Sequence, residues 1–290
     1  ADKTARIWKA DGTPLHLLKG HLSGVNYAAF SPSDDMIITT SDDNTARLWS
    51  LDGNLLAVLT GHNGYVEGAD FSPDGKTIAT VARDFTIKLW NTEGQELKTI
   101  PCPHSFIYSV VYSPFCSTCT TNGNTLLTAS EDNTARIWYL TGNRLDNQGN
   151  EIHSVAASPN GRYLVTTGRN KKAVVWDAAG KKVADLLGHN GYVFTAAFSP
   201  DGQQIVTASA DSTAMLWNVY GRSLLTLRGH TDAVTGAVFS NNDQLLIATS
   251  SRDNTAKLWS SSGQLLRTFA RHAGAVESVN FSPDDKLLVT

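Results

Sequence analysis

The stretch Ser41-Asp42-Asp43-Asn44-Thr45-Ala46-Arg47-Leu48-Trp49 indicates a repeat fold, because lightly altered copies of it occur six more times along the chain. The steps between the closing tryptophans are 41, 41, 48, 38, 41 and 42 residues, a period typical of repeat arrays. All seven tryptophans of the protein occupy this one repeat position: Trp8, Trp49, Trp90, Trp138, Trp176, Trp217 and Trp259. The fold is therefore predicted from the repeat.

Length and composition narrow the classes of protein to consider. A chain of 290 residues can hold one or two domains, but the repeat runs from end to end and predicts one domain over residues 1–290. Its 24 basic and 27 acidic residues leave a net charge of −3, which provides no strongly cationic surface for phosphates. This balance argues against nucleic acid as a partner.

Neither a membrane segment nor a secretion signal is recognisable. No apolar run approaches the roughly 20 residues that a membrane helix needs, and residues 1–4 lack the apolar core of a signal peptide. The sequence therefore predicts a soluble protein without a membrane partner. The three cysteines, Cys102, Cys116 and Cys119, do not make the even-numbered framework of a secreted scaffold, which favours a reducing, cytoplasmic location.

Each repeat contains four short strand patterns, which we call strands a to d in chain order. In the first complete repeat, residues 25–30 and 36–40 are apolar or β-branched runs that the Ser31-Pro32 turn separates. The polar turn at residues 42–44 leads into the run that ends at Trp49, and Asp52-Gly53 then turns into residues 55–59. A sheet of this kind is apolar on both faces, so it must stack against neighbouring sheets, and a closed ring leaves only protected edges. We therefore predict an all-β fold of seven four-stranded antiparallel blades.

The two ends of the chain carry complementary halves of one repeat. The chain begins at strand c, with Asp2 and Trp8, and stops at strand b, with Thr290. We infer that residues 275–290 and 1–18 build the seventh blade together and clasp the ring non-covalently. A start inside a turn also leads us to expect that the sequence is a segment of a longer chain.

These repeats resemble the WD-repeat (WD40) β-propeller family along the whole chain. The resemblance is carried by the Ser-Pro turns, by the tryptophan that closes strand c, and by Gly-His pairs at Gly20-His21, Gly61-His62, Gly188-His189 and Gly229-His230. The Trp-Asp dipeptide that names the family occurs once, at Trp176-Asp177. The mutual similarity of the repeats also resembles the repeat arrays of bacterial multidomain signalling proteins.

The resemblance implies a buried hydrogen-bonded set in each blade. Its members are a histidine between strands d and a, a threonine on strand b, an aspartate in the b–c turn and the tryptophan of strand c. The chemistry is coherent, because the four groups satisfy one another's donors and acceptors. The sets are His21, Thr39, Asp43, Trp49; His62, Thr80, Asp84, Trp90; His104, Thr128, Asp132, Trp138; Gln148, Thr166, Asn170, Trp176; His189, Thr207, Asp211, Trp217; His230, Thr249, Asp253, Trp259; and His272, Thr290, Asp2, Trp8.

Blades 3 and 4 depart from the repeat. Residues 115–122 are predicted to be an insertion in the a–b loop of blade 3, and His104 lies one residue later than the pattern places it. In blade 4, Gln148 and Asn170 replace the histidine and the aspartate together, which avoids an unpaired buried charge.

The chemical motifs do not predict catalysis, a metal or a cofactor. Asp, His and Thr occur together, but an arrangement that recurs in blade after blade with a tryptophan partner is typical of structure, since a catalyst needs one copy in a cleft. Cys102 and His104 belong to the d–a loop, whereas Cys116 and Cys119 belong to the a–b loop at the other end of strand a, so the four are placed too far apart for one zinc ion. A labile disulfide between Cys116 and Cys119 stays open.

The positions that differ most between repeats lie where the family places partner-binding loops. The residue before strand a and the second residue of strand a are large in blades 2 to 5 and small in most others, and arginines precede two of the turn positions. Aromatic rings flanked by arginine are typical of protein-binding hot spots, although such rings can also fill gaps between blades. The predicted partner-binding residues are Tyr65, Arg83, Phe106, Tyr108, Arg169, Tyr192 and Phe194.

The sequence thus predicts a monomeric, non-enzymatic scaffold that binds a protein or peptide on one face of a rigid propeller. Two alternatives remain open. The chain can be a sensor or regulatory repeat domain of a larger signalling protein, or a small-ligand binder that uses the central channel.

Overall fold

The computed structural model describes most of the chain. The described residues are 2–102, 105–112, 126–138, 143–146, 152–178, 180–242 and 244–290. For residues 137–138 and 143–146 only the backbone is described. Within these ranges the structure contains β-strands and turns, and no helix. The predicted insertion at residues 115–122 lies outside the described residues, as do His104, Gln148, Cys116 and Cys119.

Twenty-eight strands lie in the described ranges, four to a sheet. The chain opens with β1 (Thr4–Lys9) and β2 (Pro14–Lys19). Blades 1 to 3 follow as β3 (Val25–Phe30), β4 (Met36–Ser41), β5 (Thr45–Ser50), β6 (Leu55–Thr60); β7 (Val66–Phe71), β8 (Thr77–Ala82), β9 (Thr86–Asn91), β10 (Glu96–Pro101); and β11 (Ile107–Tyr112), β12 (Leu126–Ser130), β13 (Thr134–Trp138), β14 (Asn143–Asp146).

The remaining blades continue in the same order. Blades 4 to 6 are β15 (Ile152–Ala157), β16 (Tyr163–Gly168), β17 (Lys172–Asp177), β18 (Lys182–Leu187); β19 (Val193–Phe198), β20 (Gln204–Ser209), β21 (Thr213–Asn218), β22 (Ser223–Arg228); and β23 (Val234–Phe239), β24 (Ile247–Ser251), β25 (Ala256–Trp259), β26 (Leu265–Phe269). The chain ends with β27 (Asn280–Phe281) and β28 (Leu287–Val289).

The seven sheets form a closed ring around a central channel. Each sheet is antiparallel, blades 1 to 6 have their strands in sequence order, and strand a is innermost. The strands a of neighbouring blades touch all the way round, from β3 through β7, β11, β15, β19 and β23 to β27 and back to β3. The predicted all-β, seven-bladed propeller is confirmed.

Both ends of the chain enter one blade. Its strand order is β2-β1-β28-β27, so β1 lies between the hairpin partner β2 and the C-terminal strand β28. The register pairs Ile7 with Val289 and Trp8 with Leu288. The prediction that strands from both chain ends close the last blade is therefore confirmed.

The hydrophobic core lies between blades rather than in one central mass. In one cluster, Ile38 and Leu48 of blade 1 pack with Val66, Phe71 and Ile78 of blade 2. Similar clusters join the other described neighbours. Because apolar side chains point from both faces of every sheet, each blade completes the core of two neighbours, and the ring is stabilised as a whole.

A repeated irregularity in strand a positions side chains toward the channel. In the first six blades the pairing of strands a and b shifts register near the start of strand a, as between Val25 and Tyr27 in blade 1. A bulge of this kind adds one residue on one strand and re-aims its side chain. Two successive residues of a blade, such as Asn26 and Tyr27, can then line the same cavity.

None of the described segments is a helix long and apolar enough to cross a membrane.

Candidate functional site

Four polar side chains form one connected network inside blade 1. The His21 Nδ1 atom lies 2.8 Å from the Asp43 Oδ2 atom, and its Nε2 atom lies 2.8 Å from the Thr39 hydroxyl. The Trp49 indole N–H donates to the same hydroxyl at 2.9 Å. Since an ionised carboxylate can only accept, Nδ1 carries the proton, Nε2 accepts from Thr39, and Thr39 accepts from Trp49. The Thr39 hydroxyl therefore donates one hydrogen bond, to His21, and accepts another, from Trp49.

The same network recurs in other blades. The histidine, aspartate, threonine and tryptophan are joined with distances of 2.7 to 2.9 Å in the sets His62, Asp84, Thr80, Trp90; His189, Asp211, Thr207, Trp217; and His230, Asp253, Thr249, Trp259. In blade 7 the set crosses the chain ends. His272 lies 3.3 Å from the Asp2 carboxylate and 2.7 Å from the Thr290 hydroxyl, which the Trp8 indole also reaches at 2.9 Å.

Several donors hold the aspartate of blade 1 in its ionised form. The Asp43 carboxylate accepts from the Leu22 amide at 2.9 Å and from the Thr45 amide and hydroxyl at 3.0 and 2.6 Å. Although burial raises its pKa, these hydrogen bonds and the His21 imidazole lower the pKa of Asp43 to about 2. The carboxylate therefore ties the d–a loop to the b–c turn.

Blades 3 and 4 show only parts of the network in their described residues. In blade 3 the Asp132 carboxylate forms an ion pair with Arg136, a residue of strand c, and also accepts from the Thr134 hydroxyl at 2.5 Å. In blade 4 the Trp176 indole donates to the Thr166 hydroxyl at 2.9 Å. Asn170 lies in the b–c turn of that blade.

The networks make stability depend on pH. Burial lowers the pKa of four set histidines below its ordinary value, and the paired aspartates oppose this shift. The four are His21, His189, His230 and His272. A base whose pKa is depressed in the fold stabilises it above the unfolded pKa of about 6.5, and this stabilisation is lost as pH falls below that value. The aspartates have lowered pKa values, so their contribution is lost at lower pH, below about 3.9.

We therefore expect the free energy of unfolding to fall as the pH is lowered from about 7 to 5, and to fall again below about pH 4. Urea denaturation midpoints at constant ionic strength measure this. His189→Gln is expected to reduce the slope between pH 7 and 5, whereas His16→Gln, at an exposed histidine of β2, should leave it unchanged. A midpoint that does not move over this pH range would contradict the assignment of neutral histidines.

A repeated main-chain bond sets two loops side by side on one face of the ring. In blade 2 the Arg83 amide donates to the Tyr65 carbonyl at 2.9 Å. Glycine allows this approach, because a Cβ on Gly64 would lie 2.8 Å from the Asp84 amide nitrogen. Equivalent bonds join Glu131 to Phe106, Ala210 to Tyr192 and Arg252 to Ala233. The d–a loop and the b–c turn are thus presented together.

Aromatic rings and arginines from different blades meet on this face. The Arg83 guanidinium lies over the Tyr65 ring at 5.4 Å and over the Phe106 ring of blade 3 at 5.9 Å, measured to the ring centroids. The Phe85 ring stacks on Phe106 with centroids 5.1 Å apart and planes 10° apart. These contacts are within the range of cation–π and stacking attraction.

A second group of rings continues the face toward blades 4 to 6. The His153 ring lies 5.1 Å from Tyr108 and 6.1 Å from Phe194. The Arg252 guanidinium of blade 6 lies over Phe194 at 5.5 Å. Arg169 covers the Tyr192 ring at 5.9 Å.

We call the combined surface the aromatic face. Its members are Tyr65, Arg83, Phe85, Phe106, Tyr108, His153, Arg169, Tyr192, Phe194 and Arg252. Tyr65 and Tyr192 are each 46% exposed, so these two rings do not fill gaps between blades. Phe106, Tyr108 and Phe194 are partly buried.

Three further residues lie on the aromatic face beside those that the sequence predicted. Phe85 is 41% exposed and has φ of 64°, at a turn position where blades 1 and 6 carry Asn44 and Asn254 at φ of 67°. A bulky residue in this conformation is unusual, and an aromatic residue at an asparagine position was the sequence signal for it. Arg252 directly precedes the turn aspartate Asp253, as Arg83 precedes Asp84, so its position was also recognisable. The third, His153, occupies the second position of strand a, as Tyr108 does in blade 3.

A central cavity opens beside the aromatic face. It has a volume of about 300 Å³ and is lined by residues of strand a from all seven blades. Its lining includes the small residues Gly68, Ser109, Ser154 and Gly236. The larger side chains of its wall include Tyr108 and His153, two members of the aromatic face.

Across the described ranges, no three histidine, cysteine, aspartate or glutamate side chains are grouped so that they could hold a metal ion. Cys102 is a buried thiol, and burial raises its pKa to about 12. This thiol is therefore protonated and unreactive at neutral pH.

The repeats match known family models and part of a curated protein. A family model described as "IFT122 first beta-propeller" matches residues 1–218, and the model "WD domain, G-beta repeat" matches residues 221–260 and 263–290. Among curated proteins, the nuclear distribution protein nudF of Aspergillus niger is 41% identical over 75 residues. This match covers 24% of the present chain and 17% of nudF.

Proposed function

This chain belongs to the WD-repeat β-propeller family, and we propose that it is a non-enzymatic scaffold that binds a protein or peptide partner on the aromatic face. The observation that carries the proposal is the clustering of exposed rings and arginines from several blades on one side of the ring. Tyrosine, phenylalanine and arginine are enriched where proteins bind one another. Members of this family are typically protein-interaction scaffolds.

The rigidity of the loops supports this proposal. Tyr65 and Arg83 are held by a main-chain bond, and the Asp84 carboxylate accepts from the Asn63 amide at 2.9 Å and from His62 at 2.8 Å. Because the d–a loop and the b–c turn are already joined in the free protein, binding orders few additional groups. Preorganisation of this kind raises affinity without requiring further contacts.

The proposal includes the oligomeric state, the location and the classes of partner that we exclude. We propose a single propeller domain over residues 1–290 that acts as a monomer in the cytoplasm, with neither nucleic acid nor a membrane as partner. The net charge of −3 supports the part that concerns nucleic acid, because phosphate binding draws on clustered positive charge.

The triple variant Tyr65→Ala, Phe106→Ala, Tyr192→Ala tests the proposed face. We expect it to fold, because Tyr65 and Tyr192 are half exposed and none of the three belongs to the buried sets. It should lose partner binding by at least about tenfold, since truncating several hot-spot rings removes well over 1.4 kcal/mol. Partner capture from a lysate of the source organism, with circular dichroism melts of both proteins, measures the two properties.

A matched control comes from the outer strands. Leu55, Leu97 and Leu224 are exposed apolar side chains on strand d of blades 1, 2 and 5. Their triple alanine variant should retain the partner. If the two variants retain it equally, the aromatic face is not the binding surface. If the first variant unfolds, the rings serve packing.

A further inference from the structure

The charged side chains that line the central cavity have one sign. Glu67 and Glu277 point into it from blades 2 and 7, and none of the described lining residues is a lysine or an arginine. The His153 imidazole also lines it, and burial, together with the Arg169 charge, lowers its pKa to about 4, so this ring is neutral at pH 7. The cavity therefore carries two negative charges and no positive charge of its own.

Both carboxylates have arginine partners that lie outside the cavity. The Arg83 Nε atom is 2.5 Å from Glu67, and the Arg252 Nε atom is 3.9 Å from Glu277. The two arginine side chains are 44% and 51% exposed, whereas those of Glu67 and Glu277 are 15% and 29% exposed. The cations thus lie on the solvent side at the rim, and the carboxylates lie on the cavity side.

A third carboxylate adds negative charge at the same rim. Asp42 of blade 1 accepts from the Asn26 side chain at 2.9 Å, and Asn26 lines the cavity. Burial raises the pKa of Glu67 above its usual range, Arg83 opposes this, and the charges of Asp42 and Glu277 add to it. Repulsion among three carboxylates is therefore only partly compensated by the arginines, and a further cation between them would relieve it.

Blades 3 and 4 contribute an aromatic part of the wall. Tyr108 and His153 line the cavity with their rings 5.1 Å apart. The buried His153 Nε2 atom has no hydrogen-bond partner among the described residues. Aromatic faces attract cations, and an imidazole nitrogen can accept from an N–H group.

We propose that the central cavity receives one basic side chain, a lysine or an arginine, from the protein partner that docks on the aromatic face. This inference rests on the proposed function and deepens it, because it names the chemistry that anchors the partner. The complementarity is electrostatic: carboxylates of Glu67 and Glu277 face the cavity from blades 2 and 7, and rings of Tyr108 and His153 face it from blades 3 and 4. An acidic side chain would meet like charge in a confined space, which costs several kcal/mol.

Three acetylated and amidated peptides serve as probes. Each has glycine residues around one central residue, which is arginine, lysine or citrulline, and citrulline matches arginine in shape without its charge. NMR titration of the chain measures the affinity of each. We expect saturable shifts of channel-lining residues with the arginine peptide, the lysine peptide or both, and binding of the citrulline peptide that is at least about tenfold weaker.

The double variant Glu67→Gln, Glu277→Gln tests the site itself. Glutamine keeps an acceptor for Arg83, so the fold is expected to persist. Affinity for the basic peptides should fall by about tenfold or more, because two charge-assisted contacts become neutral. The control variant Asp52→Asn, Glu93→Gln removes two exposed carboxylates on c–d turns and should leave the affinity unchanged.

Other outcomes would overturn the inference. These are an absence of binding by both basic peptides, equal binding of citrulline, or unchanged affinity in the Glu67, Glu277 variant. The citrulline comparison needs no variant, so it decides the question even if the double variant fails to fold. The peptide tests can fail while partner capture still depends on Tyr65, Phe106 and Tyr192. That result would support the aromatic face as the docking surface and would contradict only the proposed cavity anchor. If the basic peptides bind but partner capture does not depend on the three rings, the aromatic face is not the docking surface.

Discussion

Thr39→Val is expected to lower the free energy of unfolding by about 2–4 kcal/mol, although valine has nearly the same shape as threonine. The Thr39 hydroxyl donates to the His21 Nε2 atom at 2.8 Å and accepts from the Trp49 indole at 2.9 Å. Its removal leaves a buried acceptor and a buried donor without partners, and each such group costs about 1–3 kcal/mol. Urea denaturation measures the change, with the m-value showing whether the unfolding transition is otherwise the same.

The neighbouring residue supplies a matched control. Thr40 lies on the same strand and is equally buried, but its hydroxyl has no hydrogen-bond partner among the described residues. Thr40→Val should therefore be neutral or stabilising by up to about 1 kcal/mol. Thr39→Ser, which keeps the hydroxyl, should recover much of the loss. Equal effects of the two valine substitutions would show that the polar network contributes nothing specific to stability.

Deleting residues 1–9 from this chain is expected to lower the melting temperature by at least about 10 °C or to abolish cooperative folding. The deletion removes β1, the strand between β2 and β28. It removes the fully buried side chains of Ala5, Ile7 and Trp8, whose burial stabilises the fold by well over 5 kcal/mol in total. Differential scanning calorimetry measures the change.

The reason for the large effect is the topology of the ring. The amide and carbonyl of Arg6 bond to Thr290 at 2.8 and 2.9 Å, so β1 fastens the C-terminal strand. Without β1 the seventh blade cannot close, and the clusters that it shares with blades 1 and 6 are opened. Lys9→Ala, at an exposed position of the same strand, should change stability by less than about 0.5 kcal/mol. Adding a peptide of residues 1–19 to the shortened chain should restore the melt in part.

The polar sets show which side-chain contacts a repeat pattern predicts and which it does not. His21 and Asp43 occur at repeat positions, and the structure brings them within 2.8 Å, because antiparallel strands joined by short turns return the chain to the same level. The pairing of Asp132 with Arg136 in blade 3 was not visible in the pattern, which treats every blade alike. The same spacing of aspartate and arginine recurs at Asp43 and Arg47 of blade 1, where the carboxylate pairs with His21, so the spacing alone does not predict the ion pair.

The number of blades, their four-strand composition and the closure by both chain ends were predictable from the sequence. These features follow from local information: the period counts the blades, the alternation of apolar runs and turns defines the strands, and the half repeats at the ends are complementary.

The contacts between side chains of different blades were not predictable from the repeat and were found in the folded chain. Arg83 lies over Phe106 of the next blade, and Arg252 lies over Phe194 of the preceding one, whereas Glu67 and Glu277 face a common cavity across blade 1. These contacts depend on how each sheet is rotated about the central axis and on the bulge that turns strand a. The physical reason is that a repeat specifies the contacts that recur in each blade, while contacts between unlike residues of neighbouring blades arise through space when the ring closes.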